Sequence, residues 1–275
     1  MKLRIVPART GLQWVREGLR VLMRAPLALS GLFFMVIAAT VVLAVIPVVG
    51  TALALLVVPA ATVALMSASE QASQGRFPMP KTLLVAFQQS ARQTRAMLVL
   101  GAIYAGAVVL IALFSMAMDD GQLTQLLTKY EGRITPELMA DPALQPAARA
   151  ALQRMVWSTL LYVPVSVLLW HAPALVHWHG VSVGKSLFFS AVAVLRNASA
   201  FLMYGIGWVG LTFAGWLLLM SLAGLFGNLG LALNGMLPLA LLIGTAFYAS
   251  LWFTFKDSFE GAGYGPSSFK GLAGL

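Results

Sequence analysis

All three histidines of this 275-residue chain fall in one ten-residue stretch: Trp170-His171-Ala172-Pro173-Ala174-Leu175-Val176-His177-Trp178-His179. Imidazole is the commonest neutral metal ligand and proton carrier, so convergence of the three rings would mark a metal or proton-relay site. On one straight helix His177 lies about 240° and His179 about 80° from His171. Only a bend at Pro173 would bring the rings together, and no carboxylate follows closely to complete or orient a site. The competing reading places Trp170 and Trp178 in the aromatic belt of a membrane protein, with the histidines at the inner membrane–water boundary. We take that reading and expect no metal and no cofactor. The pair Asp119-Asp120 reads the same way, as solvated carboxylates at a helix end.

Covalent catalysis finds little support. The chain has no cysteine, which removes thiolate nucleophiles, thiolate metal sites and disulfides together. It has no His-Glu-x-x-His or Gly-x-Ser-x-Gly element, and its apolar stretches pair no Ser, Thr or carboxylate with a base. No enzymatic activity is expected. The remaining chemistry belongs to seven cations, Arg16, Arg20, Arg24, Arg92, Arg95, Lys185 and Arg196, that stand where amphipathic segments run into apolar ones. Near an acidic lipid surface each is worth about 1 kcal/mol. They are candidate ligands for anionic phospholipid headgroups, or for a membrane-protein partner; the competing reading is that they fix topology alone.

The elements that carry these residues are membrane helices. Residues 25–69, 96–118, 155–184 and 197–255 contain no Asp, Glu, Lys or Arg, and about 20 apolar residues suffice to cross a bilayer. Composition agrees: 60% of residues are hydrophobic, 10% are charged and the mean hydropathy is +0.86, which excludes a soluble fold. Pro47 and Gly50 divide the first stretch, and Gly227-Asn228 to Asn234-Gly235 divide the last. The expected spans are therefore 27–46, 51–66, 97–118, 155–176, 200–225 and 236–255, with Pro59, Pro164 and Pro173 as bends. The fold class is an all-α, polytopic bundle of about six spans forming one membrane domain over residues 1–275.

Orientation follows from the charges between the spans. Segments 1–26, 67–96, 177–199 and 256–275 hold 14 Lys and Arg against Glu17, Glu70, Asp257 and Glu260. Segment 119–154 holds Lys129, Arg133, Arg149 and Arg154 against five acids, Asp119, Asp120, Glu131, Glu137 and Asp141. The first set is expected inside and the last outside as a small cap, with both termini cytoplasmic. Cations that serve topology and anionic lipid leave no reason to invoke nucleic acid. No cleaved signal peptide is expected, because Arg16, Arg20 and Arg24 precede the first apolar run and no short apolar core follows Arg4.

Residues 11–24 carry Leu12, Val15, Leu19 and Leu22 on one face and Arg16, Arg20 and Arg24 on another. This predicts an amphipathic helix lying on the inner leaflet. Segments 81–92 and 185–196 each run from a Lys to an Arg and align at an offset of 104, which also superposes Ala96 on Ala200 and Gly101 on Gly205. With residues 13–24 they suggest three units, each an amphipathic helix feeding two spans. In the cap, Leu123, Leu126, Leu127 and Tyr130 have helical spacing, and Thr135-Pro136 and Asp141-Pro142 read as helix starts. Inside the spans no Asp, Glu, Lys or Arg is expected, which argues against ion-coupled transport. The Gly-rich segment around Gly205, Gly207 and Gly210 leaves open a transporter or translocator of an apolar or amphipathic molecule. Gly101, Ala105, Gly205 and Gly210 also suit helix association, within one chain or in a homo-oligomer.

Val6-Pro7-Ala8-Arg9, Trp14-Val15-Arg16, Pro26-Leu27-Ala28-Leu29 and Ala172-Pro173-Ala174-Leu175-Val176 followed by Lys185-Ser186-Leu187-Phe188-Phe189-Ser190 resemble a proteobacterial family of uncharacterised multi-pass membrane proteins, the BPSS-type family. The last element is also similar to the membrane domain attached to some glycerophosphodiester phosphodiesterases. No hydrolase domain is present here, so that likeness brings no phosphodiesterase activity. The resemblance implies a bacterial inner-membrane location.

Overall fold

A computed structural model describes residues 2–131 and 136–259, and over these the chain is a helical bundle. In chain order the helices are α1 (Thr10–Arg24), α2 (Pro26–Ala44), α3 (Gly50–Ser73), a 3₁₀ segment (Pro80–Phe87), α4 (Ala91–Ala117), α5 (Gln122–Lys129), α6 (Pro136–Ala140), α7 (Leu144–Leu169), α8 (Ala172–His179), α9 (Val183–Arg196), α10 (Ala198–Leu225) and α11 (Leu229–Ser258). Six helical stretches are long and apolar enough to cross a membrane: α2, α3, α4, α7 with α8, α10, and α11. The protein is a multi-pass membrane protein. The helices outrun the apolar spans read from sequence, because charged residues continue them beyond the hydrocarbon: Arg92 and Arg95 open α4, Arg149 and Arg154 lie in α7, and Glu70 and Lys256 lie near the ends of α3 and α11.

The breaks have local causes. Pro26 sits in the first turn of α2, where its missing N–H is no loss. Ser90 and Gln93 cap α4 reciprocally, the Gln93 N–H donating to Ser90 Oγ at 3.3 Å and the Ser90 N–H to Gln93 Oε1 at 3.4 Å. The Gln93 amide reaches further and donates to the carbonyls of Val176 and His177, both at 3.1 Å, closing the open end of α8. Asn228 caps α11 through the Gly230 N–H at 2.9 Å.

Packing is densest at one end, where α1, α8 and α9 fill the space between the spans. The main core joins Trp14, Val21, Met66, Leu175, Trp252 and Phe255. The far halves of α2, α4 and α10 carry many exposed large side chains, as lipid-facing surfaces do. Helix α1 is the first departure from expectation. Its apolar face docks on α10 and α11 instead of on lipid, so Trp14 is 0% exposed and Val21 is 1% exposed. Gly11 and Gly18 make this possible: a Cβ on Gly11 would lie 2.0 Å from the Ala200 carbonyl oxygen, and one on Gly18 2.5 Å from Ser250 Cβ. Residues preceding α1 are strapped down too, since buried Asn197 accepts from the Val6 N–H at 2.8 Å and donates to the Arg4 carbonyl at 3.0 Å.

Three further expectations need correction. The fourth span is not one bent helix over 155–176. It begins at Leu144, stops at Leu169, and resumes as α8 after Trp170-His171, with Pro173 in the first turn of the new helix. The suggested repeat holds only in outline: 185–196 lies within α9, whereas 81–92 is a 3₁₀ segment, a turn and the start of α4, because Ser90 caps a fresh helix there. The small residues divide as well. Gly101 and Ala105 are buried, Gly101 against the Leu56 carbonyl of α3, while Gly205 and Gly210 face open space. Of the expected helix starts, Thr135 and, of the tail charges, Glu260 lie outside the described residues.

Candidate functional sites

The seven cations share the densely packed end of the bundle, distributed over α1, the start of α4 and α9. Arg16, Arg24, Arg92, Arg95, Lys185 and Arg196 are exposed and Arg20 is half-buried. Arg20 pairs with Glu17, and Arg24 donates to the Ser73 carbonyl at 3.1 Å. Among the described residues no carboxylate forms an ion pair with Arg16, Arg92, Arg95, Lys185 or Arg196. Large apolar side chains stand exposed beside them, Phe188 and Leu195 on α9 and Met23 on α1. Between α1 and α11 a cleft of about 370 Å³ is lined by Arg16, Glu17, Lys256 and Asp257, with Asp257 accepting from Trp14 Nε1–H at 2.9 Å.

His171 and His177 are buried in protein and His179 is half-buried. His171 is 0% exposed, caged by the rings of Phe201, Phe255 and Phe259 at centroid distances of 5.9, 5.8 and 5.5 Å. The α7–α8 break turns it inward, and Ser190 of α9 secures the break by accepting from the His171 backbone N–H at 2.9 Å and donating to the Val167 carbonyl at 3.0 Å. Neither His171 ring nitrogen has a hydrogen-bond partner among the described residues. His177 packs edge-on to Trp178, and His179 packs on Phe255. The tryptophans are not a lipid-facing belt: Trp170 donates to Thr254 Oγ1 at 3.3 Å, and Trp178 packs on Trp252. Among the described residues no group of three or more His, Cys, Asp or Glu side chains is placed to share a metal ion.

A second region was missed by the sequence reading. Arg154, Ser158, Tyr162 and Ser166 recur every fourth residue along α7 and so lie near one face. A cleft of about 600 Å³ between α4 and α7 is lined by Ser115, Arg154, Ser158 and Tyr162, and a cavity of about 220 Å³ deeper in the bundle is lined by Thr62, Tyr104, Tyr162, Ser166 and Tyr248. Tyr162 belongs to both. The four-residue spacing was visible in the sequence, but a search for ionisable groups inside spans passes over hydroxyls.

The cap closes the other end. Leu126, Leu138 and Ala147 form its own small core, and Asp119 pairs with Arg154 at the mouth of the α4–α7 cleft. Asp141 accepts from Lys129 at 2.9 Å, from the Ala143 N–H at 2.9 Å and from the Tyr130 hydroxyl at 3.0 Å. Lys129 and then these other donors hold the Asp141 carboxyl down at about 2, and the Arg154 guanidinium lowers Asp119 in the same way.

No family model matches the chain, and no solved structure matches it. A probable inner membrane protein of Burkholderia thailandensis is 32% identical over 261 residues, covering 94% of each chain. Identity spread over that length is not confined to one motif, and the chain therefore belongs to the family of this probable inner membrane protein.

Proposed function

We propose that the protein is a non-enzymatic inner-membrane protein that holds anionic phospholipid at its basic end, with that end and both termini in the cytoplasm. One observation carries the reading: Arg16, Arg92, Arg95, Lys185 and Arg196 are exposed without a described carboxylate partner and are flanked by exposed apolar side chains. Arg92 and Lys185 occupy the first turns of α4 and α9, with Arg95 one turn further along α4; these are the positive ends of the helix dipoles, where cations are disfavoured unless an anion joins them. A lipid phosphate there satisfies the side chains and the helix ends together, while Phe188 and Leu195 meet its acyl chains.

The test is lipid selection. Purified protein is equilibrated with mixed micelles of equal parts phosphatidylglycerol and phosphatidylcholine, and the retained lipid is quantified. Enrichment of phosphatidylglycerol that disappears when the seven cations are replaced by Gln supports the reading. Equal retention of both lipids overturns it, and a protein that co-purifies in place of lipid assigns the same surface to a partner. A second reading, passage of an apolar or amphipathic molecule, is supported by the cavity lined by Tyr162. It predicts lipid-probe movement across vesicles that contain the protein and none across protein-free vesicles.

A further inference from the structure

The geometry points to a binding site for an uncharged amphiphile, with its hydrogen-bonding head among Tyr104, Tyr162 and Tyr248 and its hydrocarbon chain in the cleft between α4 and α7. The inference does not rest on the basic end, which is built from different helices and from charge.

Three helices each deliver a phenol to the same cavity: α4 gives Tyr104, α7 gives Tyr162 and α11 gives Tyr248. The Tyr104 and Tyr162 hydroxyls are 3.3 Å apart, and the Tyr248 hydroxyl has no hydrogen-bond partner among the described residues and lines the same cavity. Thr62 and Ser166 line the same space. Each spends its proton on its own helix, Thr62 on the Val58 carbonyl at 2.9 Å and Ser166 on the Val163 carbonyl at 2.8 Å, which leaves their oxygens as acceptors. The cavity therefore offers a ligand donors and acceptors but, among its lining residues, no acid, Lys, Arg or His. At membrane depth hydroxyls without partners are expensive, and polar groups gathered there mark function by default.

The head must be neutral, because a charged one would be buried without a counterion. Arg154 in the adjoining cleft is already matched by Asp119. The cleft continues from Tyr162 past Ser158 to Ile111 and Met155, so the chain leaves sideways toward lipid. Carbonyl or hydroxyl heads meet these demands, as in a monoacylglycerol or a quinone; anionic phospholipid does not.

The probe is a monoacylglycerol with a diazirine in its chain, photocrosslinked to the full-length protein in nanodiscs and mapped by mass spectrometry. Saturable labelling of α4 or α7, competed by unlabelled monoolein and not by lysophosphatidylglycerol, is expected. Replacing all three tyrosines by Phe keeps the rings, removes the hydroxyls and is expected to weaken saturable binding by about tenfold or more. Ser166→Leu, which fills the cavity and leaves the phenols intact, is expected to do the same and guards against misfolding of the triple variant. Non-saturable labelling, labelling unchanged in both variants, or equal competition by lysophosphatidylglycerol overturns the inference. Loss of lipid selection at the basic end leaves this outcome unaffected, so the two readings fail separately.

Discussion

Removing Trp14 tests whether α1 is part of the bundle or a surface helix. Its indole is fully buried against Phe201 at 5.2 Å and Tyr204 at 6.0 Å, and its N–H donates to Asp257 at 2.9 Å. Trp14→Ala deletes a large buried ring and is expected to destabilise the protein by about 3–5 kcal/mol. Trp14→Phe retains most of the packing but leaves the Asp257 carboxylate without its donor, a loss of about 1.5–3 kcal/mol for a hydrogen bond to a charged group. Asp257→Asn combined with Trp14→Phe should cost less than the sum of the two single changes, because both act on one bond. Reversible unfolding in mixed micelles titrated with dodecyl sulfate reads the native protein and the four variants on one scale. A helix resting on the leaflet would lose little on truncation, so a change below about 1 kcal/mol for Trp14→Ala refutes the docking of α1.

Other perturbations have equally definite outcomes. Gly101→Val drives its side chain into the Leu56 carbonyl and should destabilise the fold, whereas Gly205→Val meets open space and should be neutral; equal effects on unfolding would mean that α4 and α3 do not touch there. His171→Phe replaces a ring with two unpartnered nitrogens inside an aromatic cage and should raise stability by about 1–3 kcal/mol in the same titration, while a loss would reveal a partner for the imidazole. The Asp141 carboxyl sits at about 2, below its ordinary range, so its contribution to cap stability is complete above about pH 4 and is lost as pH falls through 2. Hydrogen exchange in α5 should rise over that window in the native chain and show no such pH step in Asp141→Asn. In the cysteine-free background, single cysteines at positions 12 and 125 should react with an impermeant maleimide from opposite sides of the membrane; reaction from one side contradicts the topology.

The spans were legible because hydropathy and the breaks between them have simple causes: Pro47 and Gly50 interrupt one apolar run, and Gly227 and Asn228 another. The positions of α2, α3, α10 and α11 follow from those features to within a few residues at most ends. The docking of α1 was not legible from its amphipathic stripe, since an apolar face has the same pattern whether lipid or protein covers it. The signal was Gly11 and Gly18, seven residues apart on that face: lipid has no need of glycine, and close backbone approach does. The burial of His171 was not legible for a related reason: its cage is made by Phe201, Phe255 and Phe259 from distant helices. The seven cations, by contrast, stand at one end of the bundle as their spacing implied, because each lies where an apolar span begins or where an amphipathic segment feeds one.

The most direct test of the account is native mass spectrometry of the protein extracted in its own lipids, beside the form with Arg16, Arg20, Arg24, Arg92, Arg95, Lys185 and Arg196 replaced by Gln. The account predicts bound anionic phospholipid on the native protein and its loss from the variant. Native protein that carries no selected lipid, or a variant that keeps the same lipid, would contradict it.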